Sequence, residues 1–175
     1  MINTRSRRGR RTVTWAHPVM DYKAAFGMRG LDLVNAIKEG RFPLPPVWDL
    51  VNFRLREVAE GRVVFEINPA EYHYNCFGMV QGGIECAVLD AGAGYALHST
   101  LPAGTGYTTL ELKVNYLRPI SLETGTIRCL GTVIHKGSRV AVAQADMLDS
   151  NNLLYAHAIS TCLVFKLTEG VRREN

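Results

Sequence analysis

The fold class this sequence predicts is α+β, a strongly curved antiparallel sheet wrapped around one long central helix. Three observations carry that expectation. Residues 83–97 form one stretch that is apolar nearly all round at helical spacing, the pattern of a buried helix. Runs with period-two alternation flank it, a hairpin before and at least three strand candidates after. The chain has 175 residues, 47% hydrophobic, which is enough for one domain with a full core and short for two. A single sheet must then cover the helix, and a curved antiparallel sheet does so.

The elements follow in order. Residues 1–20 read as irregular. Between Gly30 and Lys38, Leu31, Val34 and Ile37 recur at helical spacing, and Gly40 is a plausible stop. Pro43, Pro45 and Pro46 predict an extended connector, because residues before proline avoid the helical region. Val51, Phe53 and Leu55 then alternate with Arg54 and Arg56. Gly61 turns the chain, and Val63, Phe65 and Ile67 alternate again as the second arm of a hairpin. In the long helix, Ile84, Ala87, Val88, Ala91 and Tyr95 are expected to mark one face. Gly92 and Gly94 each weaken a helix by about 1 kcal/mol relative to alanine, so close packing against a neighbour is expected there. Beyond the turn "LPAGTG", the runs "TTLELKVNYL", "GTIRCLGTVIH", "SRVAVAQADML" and "LLYAHAISTCLVFKL" read as an antiparallel meander. A polar tail starts at Thr168.

Composition narrows the function. The net charge of +4 belongs to a tail, since Arg5, Arg7, Arg8, Arg10 and Arg11 precede any acid and the remainder is near −1. Such an arm is expected to be solvated. A grip on polyphosphate or nucleic acid, or a transit peptide, is its sharper alternative. No run approaches the roughly 18 apolar residues of a membrane span. Without an apolar leader the expected location is cytoplasmic, with Cys76, Cys86, Cys129 and Cys162 reduced. No Cys-x-x-Cys or paired-His spacing nominates a metal, and no cofactor is expected. Cys86 and Cys162 read as small core fillers.

The chemistry concentrates at "NCFGMVQGGIECAVLD". Gly82 and Gly83 open the helix, where unpaired N–H groups and the positive end of the dipole are exposed. Asp90 sits among small apolar residues, where an unpaired charge is costly. Asn75, Gly78, Gln81, Gly82, Gly83 and Asp90 together resemble the signature of hotdog-fold acyl-CoA thioesterases of the phenylacetate-degradation type. That signature is Asn-x-x-Gly-x-x-His-Gly-Gly with an acid nine residues after the histidine. The resemblance spans roughly residues 47–165 and departs at Gln81, which stands in the histidine's place.

The resemblance implies a hotdog domain over 47–168, an arm with a short helix over 1–46 and a tail over 169–175. It implies an acyl-CoA thioesterase with Asp90 as general base or nucleophile and Gly82 and Gly83 N–H groups as oxyanion donors. Asn75 would hold water or the substrate carbonyl, Gln81 would orient the loop, and Thr108 or Thr109 would place a hydroxyl near the carboxylate. Arg118, Lys136, Gly137 and Arg139 are the candidates for CoA, and Phe77, Tyr95 and Tyr107 for the acyl pocket. A homodimer or dimer-of-dimers is implied, with sites between subunits and neither membrane nor nucleic acid as partner. Two other readings compete. One is a hotdog hydratase or dehydratase, suggested by Asn68-Pro69 with His73. The other is a non-catalytic acyl-CoA sensor with a nucleic-acid-binding arm.

Overall fold

The computed structural model describes residues 8–16, 24–25 and 27–167. Its helices are α1 (Gly30–Lys38), α2 (Pro46–Val51) and α3 (Gly82–His98). Its strands are β1 (Phe53–Ala59), β2 (Arg62–Ile67), β3 (Thr105–Tyr116), β4 (Ile127–Lys136), β5 (Val140–Leu148) and β6 (Leu154–Lys166). All six strands join one antiparallel sheet in the order β1-β2-β4-β5-β6-β3, and α3 packs against every one of them. This is the hotdog arrangement.

The expected meander holds for β4, β5 and β6 but not for β3, which pairs with β6 at the far edge. The reason is the helix between β2 and β3. Its 17 residues run about 25 Å through the curve of the sheet and deliver the chain to the opposite side. The connection after β3 then returns to place β4 beside β2.

Small residues let the sheet close on α3. A side chain on Gly131 would lie 2.0 Å from the Gly92 carbonyl oxygen, and one on Gly92 would lie 2.8 Å from Cys129 Sγ. Gly94 likewise leaves room for the Tyr107 hydroxyl. The face of α3 that is buried deepest is set by Glu85, Val88, Leu89, Gly92, Ala93 and Ala96. Of the face read from the sequence, only Val88 is fully buried; Ile84, Ala87, Ala91 and Tyr95 are half-buried. A helix apolar all round has no strong directional signal, so the sheet chooses its deepest face.

The proline connector also differs from expectation. Pro46 begins α2, where its missing N–H is no loss. Strand β1 therefore starts at Phe53, after Asn52 reverses the chain at φ 61°. The short helix drives Trp48 into the core, with ring centroids 5.0 Å from Phe65 and 5.1 Å from Tyr95. Arg11 is not free in solvent. It donates to the carbonyls of Asp49 (2.6 Å) and Leu50 (2.7 Å) and stacks 4.0 Å over the Tyr72 ring. Those carbonyls close the last turn of α2, where helices present unpaired acceptors. Arg8 and Arg10 are exposed, and Arg5 and Arg7 lie outside the described residues.

Candidate active site

Asp90 lies on α3, two turns past the helix start, and is half-buried. The Thr109 hydroxyl donates to its Oδ1 at 2.9 Å. Thr109 sits where β3 shifts register against β6, at an irregularity between Thr109 and Glu111. A bulge of this kind re-aims a side chain. Thr108, its neighbour, is exposed and makes no such bond.

The other half of the candidate site is the turn before α3. Gln81 supplies the N-cap through its backbone: its carbonyl accepts the Ile84 N–H at 2.8 Å, while its side chain makes no capping bond and is exposed. The N–H groups of Gly82 and Gly83 have no protein acceptor among the described residues, as expected for the first turn of a helix. Around Gly83 the space is open, with nothing within 4 Å of an added Cβ. At Gly82 the Tyr116 ring would stand 3.0 Å from one, and the Tyr116 hydroxyl donates to the Gly82 carbonyl at 2.9 Å. Asn75 braces the loop, its Oδ1 accepting the N–H groups of Phe77 (2.8 Å) and Met79 (3.3 Å). Phe77 is at the loop tip, 80% exposed, and lines neither cavity described below.

Sequence reasoning missed three residues here. Tyr116 bonds Gly82 and approaches Cys86 Sγ at 2.9 Å, so Cys86 is half-buried beside the helix start and is not a core filler. Cys162 is fully buried, as expected of a filler. Glu85 is the third. It is 4% exposed, its Oε2 has no partner among the described residues, and burial pushes its carboxyl up to about 7. Its position four residues before Leu89 was a legible signal, because that spacing puts both on one helix face.

The CoA candidates are dispersed. Arg118 follows β3 and donates to the Leu154 carbonyl. Lys136, Gly137 and Arg139 line a cleft of about 610 Å³ at the β4–β5 tip, together with Lys166 and Phe165. Tyr95 and Tyr107 line a different cavity that reaches Thr109. His73, the residue behind the hydratase reading, is buried. Its Nε2 donates to the Val51 carbonyl (2.7 Å) and its Nδ1 accepts the Ala70 N–H (3.1 Å). Burial lowers its pKa, and both ring nitrogens serve the backbone, which leaves none for an Asp–His pair. Among the described residues no group of three or more His, Cys, Asp or Glu could hold a metal, and no helix is long and apolar enough to cross a membrane.

Comparison with known proteins bears on the fold and on the class of reaction. The thioesterase superfamily model matches residues 77–156, from the glycine loop into β6. A candidate esterase of Saccharolobus solfataricus is 29% identical over 135 residues, which cover 77% of this chain and 94% of that protein. A Streptococcus mutans structure bound to acetyl CoA is 25% identical, with TM-score 0.60 over 67% of this chain and 92% of that one. The Escherichia coli PaaI protein from the phenylacetic acid degradation operon shares 16% identity and TM-score 0.68, over 82% of this chain and 99% of its own. At that identity the likeness is one of fold. Fold and matches together define a thioester hydrolase. Over residues 77–156 the chain resembles the thioesterase superfamily, and its fold is shared with a Ralstonia eutropha thioesterase-like protein related to phenylacetic acid degradation, 26% identical with TM-score 0.68 over 74% of this chain and 98% of that one.

Proposed function

We propose that the protein hydrolyses acyl-CoA to a carboxylic acid and free CoA. The observation that carries this reading is the Thr109–Asp90 hydrogen bond, which points a half-buried carboxylate in one direction. Asp90 takes a proton from water as the water oxygen bonds to the thioester carbon. The carbonyl oxygen gathers charge against the Gly82 and Gly83 N–H groups, where one such donor is worth about 3 kcal/mol. The carbon–sulfur bond then breaks and the CoA thiolate takes up the proton. Thiols have a pKa near 8.5, so departure needs no strong acid, and Gln81 suffices where an imidazole is usual.

Gly83 and Asp90 are seven residues apart on one helix, about 10 Å along its axis. One carbonyl cannot meet both easily, so the reading needs a homodimer in which the partner's glycine loop faces Asp90. The edge strand β3 supports this, because it is unpaired on one side and carries or borders exposed Leu110, Tyr116 and Leu117. Asn75 holds the loop in shape. Either Arg118, beyond the end of β3, or Lys136 and Arg139 of the β4–β5 cleft supply the positive charge that suits the phosphates of CoA.

Thiol trapping over short, medium and aryl acyl-CoAs, with light scattering for oligomeric state, tests the proposal. Release from at least one substrate by a dimer or tetramer is the expected result. No release from any acyl-CoA, or full activity in a monomer, overturns it. Single turnover in heavy-oxygen water separates the two roles of Asp90, since label enters its carboxyl only if it attacks the substrate directly.

A further inference from the structure

The cavity that reaches Thr109 has a volume of about 470 Å³, within the range of small-molecule pockets. It runs along β3 from Gly104 to Thr109 and is also lined by the C-terminal half of α3 through Tyr95 and His98. Its far wall comes from elsewhere. Leu33 and Ile37 of α1, with Ala25 and Met28 just before it, close the side opposite β3. This wall lies outside residues 77–156, the part of the chain that matches the family model.

The lining has a definite chemical character. Among the described residues no Lys, Arg, Asp or Glu side chain lines the cavity. His98 is held towards its neutral form by burial, and the Tyr107 hydroxyl is kept protonated by the same cause. Tyr107 lies close against α3 because Gly94 has no side chain; a Cβ there would stand 2.3 Å from the hydroxyl. A phosphate or carboxylate has no partner in such a space. The neighbouring cleft at the β4–β5 tip, with Lys136, Arg139 and Lys166, is the contrasting charged surface. The apolar cavity starts at the residue that bonds Asp90 and runs away from it, which is the path of the apolar half of a thioester.

We propose that this cavity receives a straight acyl chain of medium length and that the N-terminal segment, through Met28, Leu33 and Ile37, sets the length it accepts. The inference rests on the acyl-CoA reading above. From Thr109 to Thr105 the strand spans about 13 Å, room for a chain of roughly eight to ten carbons.

The test is the chain-length profile of kcat/KM over saturated acyl-CoAs from acetyl to myristoyl, for the parent protein and for Ile37→Trp. Met28→Trp, at a half-buried position, is the second variant should the first fail to fold. A medium-chain optimum is expected in the parent. In the variants the optimum moves to shorter chains, each methylene beyond the new limit lowering kcat/KM about tenfold. An unmoved profile in a folded variant overturns the inference and leaves the hydrolase reading standing. So does an equal rise in KM at every length, which would assign the cavity to the CoA arm. Calorimetric binding of decanoyl-CoA against acetyl-CoA is measured alongside. If the parent hydrolyses nothing, the hydrolase reading fails. The pocket is then judged by binding: tighter decanoyl binding that Met28→Trp abolishes supports it, and equal binding overturns it.

Discussion

The two ends of α3 use the same residue for opposite purposes. Near its C-terminal half, Gly92 is pressed against Cys129 and the backbone of Gly131, and space is the scarce quantity. At its start, Gly83 has open space, and its unpaired N–H is the scarce quantity. One end is built for close packing against the sheet. The other is held by Tyr116 and left open. Stability should therefore be concentrated at Gly92 and Gly131, and activity at Gly83 and Asp90.

Asp90→Asn offers the sharpest break in that division. It should lower kcat/KM by about 10²–10⁴ while the melting temperature barely moves, because the amide can still accept from Thr109. Steady-state kinetics with calorimetry checks both halves, and a large loss of stability would contradict the division. Gly131→Ala should do the reverse. Its Cβ meets backbone that cannot swing aside, and overpacking of this kind costs roughly 1–3 kcal/mol. Denaturant titration measures it, and a neutral result would show that the sheet can retreat from α3.

Glu85 sharpens the comparison, because it brings a buried carboxyl to the active end. Its pKa is about 7 in the folded chain against an ordinary 4.5, so between these values the folded state holds the proton more tightly than the unfolded one. The associated stability is fully present below the lower value and is lost as pH rises through the upper one. Glu85→Gln should thus stabilise the protein by about 3 kcal/mol above pH 7 and change little below the ordinary carboxyl value of 4.5. Thermal melts at the two pH values decide this. Equal gains at both would mean that something other than charge burial is relieved.

The smallest effect is expected at Gly83→Ala. A methyl fits the open space and favours the helix by up to about 1 kcal/mol, yet it crowds any carbonyl approaching the N–H. Stability should hold or rise while kcat/KM falls. If both fall together, packing governs this end of the helix too.

Much of this was legible from local pattern. The alternation of Val63, Phe65 and Ile67 predicts β2, and its Gly61 turn is present at φ 76°. The apolar run after Gly82 predicts a buried helix, and the glycines within it predict close packing, which Gly92 and Gly131 provide. Both features follow from periodicity and from the lack of a Cβ, which act on neighbours a few residues apart. The spacing of Gly82, Gly83 and Asp90 nominated a site, but nothing local paired Asp90 with Thr109 rather than Thr108.

What local pattern could not reach has a common cause. The deepest face of α3, the Trp48 plug, the Arg11 contact with α2 and the strand order β6-β3 are each decided by segments far apart in the chain. Alternation states that a strand has two faces, but not which neighbour it pairs with. The bulge at Thr109 and the wall that α1 lends to the apolar cavity arise only when the sheet closes around the helix. Sequence sufficed for the kinds of element, because propensity and periodicity are short-range, and it nominated the residues proposed to do chemistry. Tertiary packing alone chose which of those residues meet, because burial is shared among distant segments and belongs to no single one.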